Sequence, residues 1–125
     1  MFDHISIGVK DVERSKAFYD AVLAPLGHRC LSADEGALGY GADRVSFWVL
    51  ASTAPVPPDD ASGLHLCFAA PTRRSVDAFH AAALGAGGLD NGQPGTRADY
   101  GPTYYAAFVK DPDGYRIEAY CGTSA

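Results

Sequence analysis

A pattern that returns after 61 residues constrains this chain more than any other feature, because it requires two similar halves. His4 falls on His65, and the same shift pairs Ile5 with Leu66, Ile7 with Phe68, Asp11 with Thr72, Phe18 with Phe79, Leu23 with Leu84 and Gly27 with Gly88, without a gap. Further along the shift grows to 70, where Asp43 meets Asp113, Phe47 meets Ile117 and Trp48 meets Glu118. The second copy is therefore about nine residues longer, with the extra length placed within Gly88 to Thr103. Solenoids and propellers need three or more copies, so a two-fold repeat of this length is a duplicated supersecondary unit.

Each copy reads as strand, helix and further strands. Met1 to Val9 alternates, with Ile5, Ile7 and Val9 on one face and Phe2, His4 and Ser6 on the other, which is the period of a strand. Asp11 is placed to cap a helix whose buried stripe is Ser15, Phe18, Tyr19, Val22 and Leu23 and which Pro25 and Gly27 stop. His28 to Ser32, Leu38 to Gly41 and Val45 to Ala51 then follow as short strands. In the second copy Gly63 to Ala69 is a strand, Thr72 a cap, and Val76, Phe79, Ala83 and Leu84 the buried stripe of a helix ending in Gly85, Gly87 and Gly88. Gly92 to Gly101 reads as a loop, and Tyr104 to Lys110 and Tyr115 to Cys121 as strands joined by the turn Asp111, Pro112, Asp113, Gly114. The expected architecture is α+β, one domain over residues 1–125. Module 1 spans 1–51, a Pro-rich linker with Pro55, Pro57 and Pro58 spans 52–62, and module 2 spans 63–125.

Composition narrows the class of partner. A chain of 125 residues that is 47% hydrophobic buries a core without disulfides, and Cys30, Cys67 and Cys121 form no CxxC pair and suit small fillers in a reducing compartment. Ten basic and fifteen acidic residues give a net charge of -5 with no basic stripe, so nucleic acid is not an expected partner. No apolar run has the length of a signal peptide core or membrane span, which points to the cytoplasm and to no membrane association.

Strand parity sorts the polar residues. If the aliphatic faces lie under the helices, then His4, His65, Trp48 and Glu118 all face the helix-free side of the sheet. A carboxylate in the apolar run Ile117, Glu118, Ala119, Tyr120 needs a partner, since burying it alone costs several kcal/mol. That partner is a cation, a hydrogen-bond donor or solvent, and Arg116 on the same face is the best metal-free candidate.

The paired βαβββ units, the His opening each copy and the terminal run Tyr104 to Glu118 with its Asp-Pro-Asp-Gly turn resemble the vicinal oxygen chelate superfamily, which includes glyoxalase I, bleomycin resistance proteins and extradiol dioxygenases. The resemblance implies two tandem βαβββ modules forming a curved mixed sheet, a cup with helices on its outer face, often in a homodimer. It also implies metal ligands at the first and last strand of each module, here His4, Trp48, His65 and Glu118. Trp48 cannot ligate a metal, so His4, His65 and Glu118 remain, a set similar to that of extradiol dioxygenases. Two imidazoles and one carboxylate leave positions open for a bidentate substrate. The metal expected is a divalent ion, Fe, Mn, Ni, Zn or Co.

On this basis Glu118 and Tyr104 are the candidate catalytic residues, and Trp48, Tyr105, Arg97, Tyr100 and Arg116 the candidate substrate contacts. Tyr104 and Tyr105 face opposite ways, so only one can line the cup. Arg97, Asp99 and Tyr100 sit on the longer second-copy loop, where binding residues collect. Cys67 shares the His65 face as a filler, while His28 and His80 read as edge and helix-surface residues. Two functions are compatible with this set. One is a metal-dependent lyase, isomerase or ring-cleaving dioxygenase acting on a small substrate with vicinal oxygens. The other is a metal-free binding protein of the bleomycin resistance type that sequesters a small aromatic compound.

Overall fold

Both halves of the repeat fold in the same order in a computed structural model that describes residues 1–125. The first runs β1 (Ile5–Val9), α1 (Val12–Leu23), β2 (Arg29–Ala33), β3 (Ala37–Gly41) and β4 (Phe47–Ala51). The second runs β5 (Leu66–Ala69), α2 (Arg73–Gly85), β6 (Leu89–Thr96), β7 (Tyr105–Lys110) and β8 (Arg116–Cys121). Each half is a four-stranded mixed sheet, ordered β1-β4-β3-β2 and β5-β8-β7-β6, in which the first and last strands pair in parallel. The register matches the repeat residue for residue. Ile5 lies opposite Phe47 as Leu66 lies opposite Ile117, and Ser6 opposite Trp48 as Cys67 opposite Glu118. The shifts of 61 and 70 are thus the two sides of one ladder.

The helices form where capping and periodicity coincide. The Asp11 carboxylate accepts from the Arg14 amide at the start of α1, and Ser15, Phe18, Tyr19, Val22 and Leu23 are its buried residues. A short 3-10 turn, Ala24–Leu26, ends at Gly27, whose φ of 92° is one that a side chain resists. In α2, Thr72 and Ser75 cap each other reciprocally. No helix is long and apolar enough to cross a membrane.

Three expectations need correction. The segment expected as a loop from Gly92 to Gly101 begins inside a strand, since β6 spans Leu89–Thr96 and pairs with β7. Its Gly92, Pro94 and Gly95 mask the strand pattern, and the ladder tolerates them because β6 is an edge strand with register shifts between Asp90 and Gly92 and between Gly92 and Gly95. In α2 the buried stripe is Val76, Phe79, His80 and Ala83, with His80 at 5% exposure and Leu84 at 45%. His80 is therefore not on the helix surface. Its Nε2 lies 2.8 Å from an Asp90 carboxylate oxygen, a partner that satisfies the imidazole where α2 covers β6. Cys67 is exposed rather than a filler, whereas Cys121 is buried and Cys30 half-buried; all three thiols are free.

One core joins the modules. A cluster of 20 buried residues runs from Val9, Phe18 and Phe47 in the first half to Phe79, Val109 and Ile117 in the second. The Phe47 and Phe68 rings meet edge to face at 5.3 Å. Polar contacts cross the same junction: the Tyr19 hydroxyl donates to Asp111 at 2.6 Å, and the Tyr115 hydroxyl donates to the Gly8 carbonyl at 2.7 Å. The Asp-Pro-Asp-Gly turn thereby holds β7 and β8 against α1 and β1.

Candidate functional site

Glu118 sits near the middle of β8, opposite Phe108 of β7 on one side and Cys67 of β5 on the other. Its residue exposure is 4%, so each carboxylate oxygen needs a donor. His65 Nε2 lies 2.7 Å from Oε1, and the Tyr104 hydroxyl donates to Oε2 at 2.6 Å. The chain places no Lys or Arg against this carboxylate. Arg116, the metal-free partner expected from its parity, instead donates from Nε and Nη2 to the Leu64 carbonyl at 3.2 and 2.9 Å.

Parity decides the tyrosine question. Ala107 and Val109 are buried in the core, so Tyr105 turns with them toward α2 and donates to Asp77 at 2.6 Å. Tyr104 turns the other way. Its ring packs on Tyr120 at 4.1 Å and against Tyr100 at 5.1 Å. Burial first, and the bond to Glu118 second, push the Tyr104 hydroxyl up, so the phenol keeps its proton and remains a donor. Although Cys67 is exposed as a residue, desolvation of its sulfur, and after it the Glu118 carboxylate, push the thiol up to about 12, which leaves it protonated and a poor nucleophile at neutral pH.

These groups open into a concavity of about 810 Å³ lined by His65, Asn91, Asp99, Tyr100, Tyr104, Phe108, Arg116 and Glu118. The structure thus gathers His65, Glu118, Tyr104, Tyr100 and Arg116. It does not bring His4, Trp48, Tyr105 or Arg97 to them within the chain. His4 precedes β1, with its side chain 51% exposed and Nδ1 2.8 Å from the Asp3 carboxylate. Trp48 lies on the equivalent face of the other sheet, opposite Gly39, where a Cβ would meet its ring at 2.9 Å. The equivalent pair in module 2 is Phe108 opposite Glu118, so bulk and small size have changed sides between the two halves.

Arg97 is a step removed from the concavity. Its guanidinium is held by the carbonyls of Gln93, Gly95 and Thr96 and covers Phe108 at 5.3 Å, while Phe108 approaches the His65 ring at 5.8 Å. Sequence reading missed Phe108 and Asn91. Phe108 has the parity of Tyr104, a usable signal, whereas Asn91 lay hidden in the unrecognised β6. Gly92 completes the Phe108 pocket: its φ is 153°, and a Cβ there would stand 2.8 Å from the Phe108 ring. Gly92→Ala is expected to cost about 1–3 kcal/mol, read as a lower urea midpoint, and to shift the NMR signals of the His65 ring.

A sequence model of the Glyoxalase/Bleomycin resistance protein/Dioxygenase superfamily matches residues 1–119. The chain belongs to this superfamily. Among solved structures it is similar to a glyoxalase/bleomycin resistance protein from Albidiferax ferrireducens T118, with 36% identity over 97% of this chain and 98% of that one and a TM-score of 0.84. It shares the fold of a glyoxalase-related enzyme from Fulvimarina pelagi, at 17% identity, 97% and 87% coverage and a TM-score of 0.74. It also shares the fold of the fosfomycin resistance protein FosX from Listeria monocytogenes, at 15% identity, 98% and 93% coverage and a TM-score of 0.72. No curated protein matches the chain.

The superfamily's use of divalent metals can be tested against the donors that this member presents. His65 Nε2 and Glu118 Oε1 converge at one point, beside a concavity and away from any fixed cation, so these two residues fit a metal. No group of three or more His, Cys, Asp or Glu is arranged to hold a metal ion within the chain.

Proposed function

We propose that this superfamily member is a divalent-metal-dependent enzyme acting on a small substrate with two neighbouring oxygens. The observation that carries the reading is Glu118: a carboxylate at 4% exposure, fixed by an imidazole and a phenol and opening toward a concavity. His65 and Glu118 hold the metal, and His4 of a second copy of the chain completes the set. His4 suits that role because it is exposed and bonded only to Asp3, and Met1 and Phe2 beside it are exposed apolar residues. When bound, a divalent ion supplies Lewis-acid stabilisation of charge that develops on a substrate oxygen. The chain does the rest. Tyr104 fixes the orientation of Glu118, Phe108 holds the His65 ring, and Arg116 offers its remaining Nη1 to an anionic group at the rim.

The test is metal analysis of protein purified without chelators and titrated with Mn(II), for wild type, His4→Ala and His65→Ala. Stoichiometric metal in the wild type, lost in each variant, is the expected result. Mixing the two variants under conditions of subunit exchange should restore roughly a quarter of the sites, because one site of each mixed dimer is then intact. Recovery of none would place His4 outside the site. No metal in the wild type, under any loading, would favour the sequestering reading. An apolar cavity lined by Phe2, Phe47 and Phe68 already lends that reading some support.

A further inference from the structure

The helices leave one part of the core thinly covered. α1 packs on β2, β3 and β4 and α2 on β6, β7 and β8, so the two strands at the module junction, β1 and β5, receive the least helical cover. Ile5, Leu66 and Phe68 point to the core side of those strands and are still only half-buried. They border a cavity of about 470 Å³ that Leu23, Tyr40 and Phe47 also line. Close-packed interiors leave few voids larger than a water molecule, and small-molecule pockets occupy roughly 300–1,000 Å³. A space of this size is a binding volume and not a packing defect.

One residue of the wall has an unmet hydrogen bond. His28 lies just past the turn that ends α1, its amide donating to the Leu23 carbonyl at 3.1 Å, and it borders the cavity. Its Nδ1 is buried without a partner, whereas Tyr40 and His65 of the same wall are engaged by Asp20 at 2.9 Å and Glu118 at 2.7 Å. His28 Nε2 is not buried in this way, so the neutral ring keeps its proton there, where water accepts it. Nδ1 is then a bare acceptor. We infer that the cavity is a second binding site, distinct from the concavity at Glu118, for a small aromatic molecule that carries one hydrogen-bond donor. The Phe47 and Phe68 rings, which meet edge to face, supply aromatic partners, and the donor of the guest satisfies Nδ1. The site does not depend on a metal at Glu118.

Naphthalene and 2-naphthol test the point, since they share two fused rings and differ in one hydroxyl donor. Binding of each to the full chain, freed of metal, is measured by equilibrium dialysis at about pH 8, where an ordinary imidazole is neutral. The wild type is expected to bind both. His28→Phe keeps a ring in the wall and removes the acceptor, so it should weaken 2-naphthol binding about tenfold and leave naphthalene binding unchanged. Leu66→Trp, which adds bulk to the wall, should abolish binding of both. Glu118→Gln, in the other concavity, should leave both unchanged. Binding of neither compound by the wild type would overturn the inference, as would equal 2-naphthol affinities in wild type and folded His28→Phe. Binding lost in Glu118→Gln and kept in Leu66→Trp would also overturn it, and would assign the aromatic ligand to the Glu118 concavity. Should Leu66→Trp not fold, the His28→Phe comparison decides alone. Metal analysis tests the metal site separately, so either reading can fail without the other.

Discussion

Glu118→Gln is expected to weaken metal binding by at least about 100-fold while leaving the metal-free protein as stable as wild type or more so. The substitution keeps the shape of the side chain and removes its charge. The amide oxygen still accepts one hydrogen bond. The amide nitrogen then needs an acceptor, which either the Tyr104 hydroxyl or the His65 imidazole provides by rotating its proton or changing tautomer. Burying a carboxylate without a matching cation costs several kcal/mol, so its removal relieves a cost that the metal-free fold bears. Adding Mn(II) should reverse the order. At a hundred times its dissociation constant a ligand that binds only the folded state contributes about 2.7 kcal/mol, and only the wild type gains it. Thermal unfolding with and without Mn(II) therefore gives two curves that cross for wild type and Glu118→Gln. A Glu118→Gln protein that is much less stable than wild type without metal would assign Glu118 a structural role.

The first half of the chain and the frame of the second were legible because their signals reinforce one another. The shifts of 61 and 70 matched β1 with β5 and β4 with β8, equivalences that the two ladders repeat, and the α1 stripe agrees with its burial at every position. His80 was misread as a helix-surface residue although the repeat held the signal: at a shift of 61 it falls on Tyr19, a buried position whose polar tip also finds an aspartate. What parity cannot supply is distance between sheets. It placed His4 and His65 on helix-free faces, but those faces belong to two separately hydrogen-bonded sheets, and the chain does not bring His4 to Glu118. Nor does parity give the direction of a long side chain. Arg116 shares the Glu118 face and still bends away to a backbone carbonyl, where two of its nitrogens are satisfied at once. β6 escaped notice for another reason, because its ladder rests on backbone pairing at an edge where glycines and a proline are tolerated.

Asp111→Ala is expected to cost about 3–5 kcal/mol through the donors it leaves unpaired, a large share of the stability of a domain of this size. Asp111 is 3% exposed and serves three donors. One oxygen accepts from the Tyr19 hydroxyl at 2.6 Å, and the other from the amides of Asp113 and Tyr115 at 2.9 Å each. Alanine leaves all three donors buried without a partner, at about 1–3 kcal/mol apiece before relaxation. Asparagine keeps an acceptor for the two amides and offers its nitrogen to the Tyr19 oxygen, so Asp111→Asn should recover most of the loss near neutral pH. Acidity then separates the two residues. Burial raises the Asp111 carboxyl above its ordinary range, although the bonds from Tyr19, Tyr115 and Asp113 pull it partly back. Between the ordinary carboxylate value and the raised one, the folded chain holds a proton that the unfolded chain has released. Stability from this group therefore grows as pH falls through that window and declines as pH rises. Asparagine has no such proton. The urea midpoint of wild type should thus pull further ahead of Asp111→Asn on acidification from neutral to about pH 4, the reverse of what a carboxylate stabilised in its charged form would show. A gap that narrows on acidification would mean that the hydrogen bonds at the turn, and not desolvation, dominate the titration of Asp111.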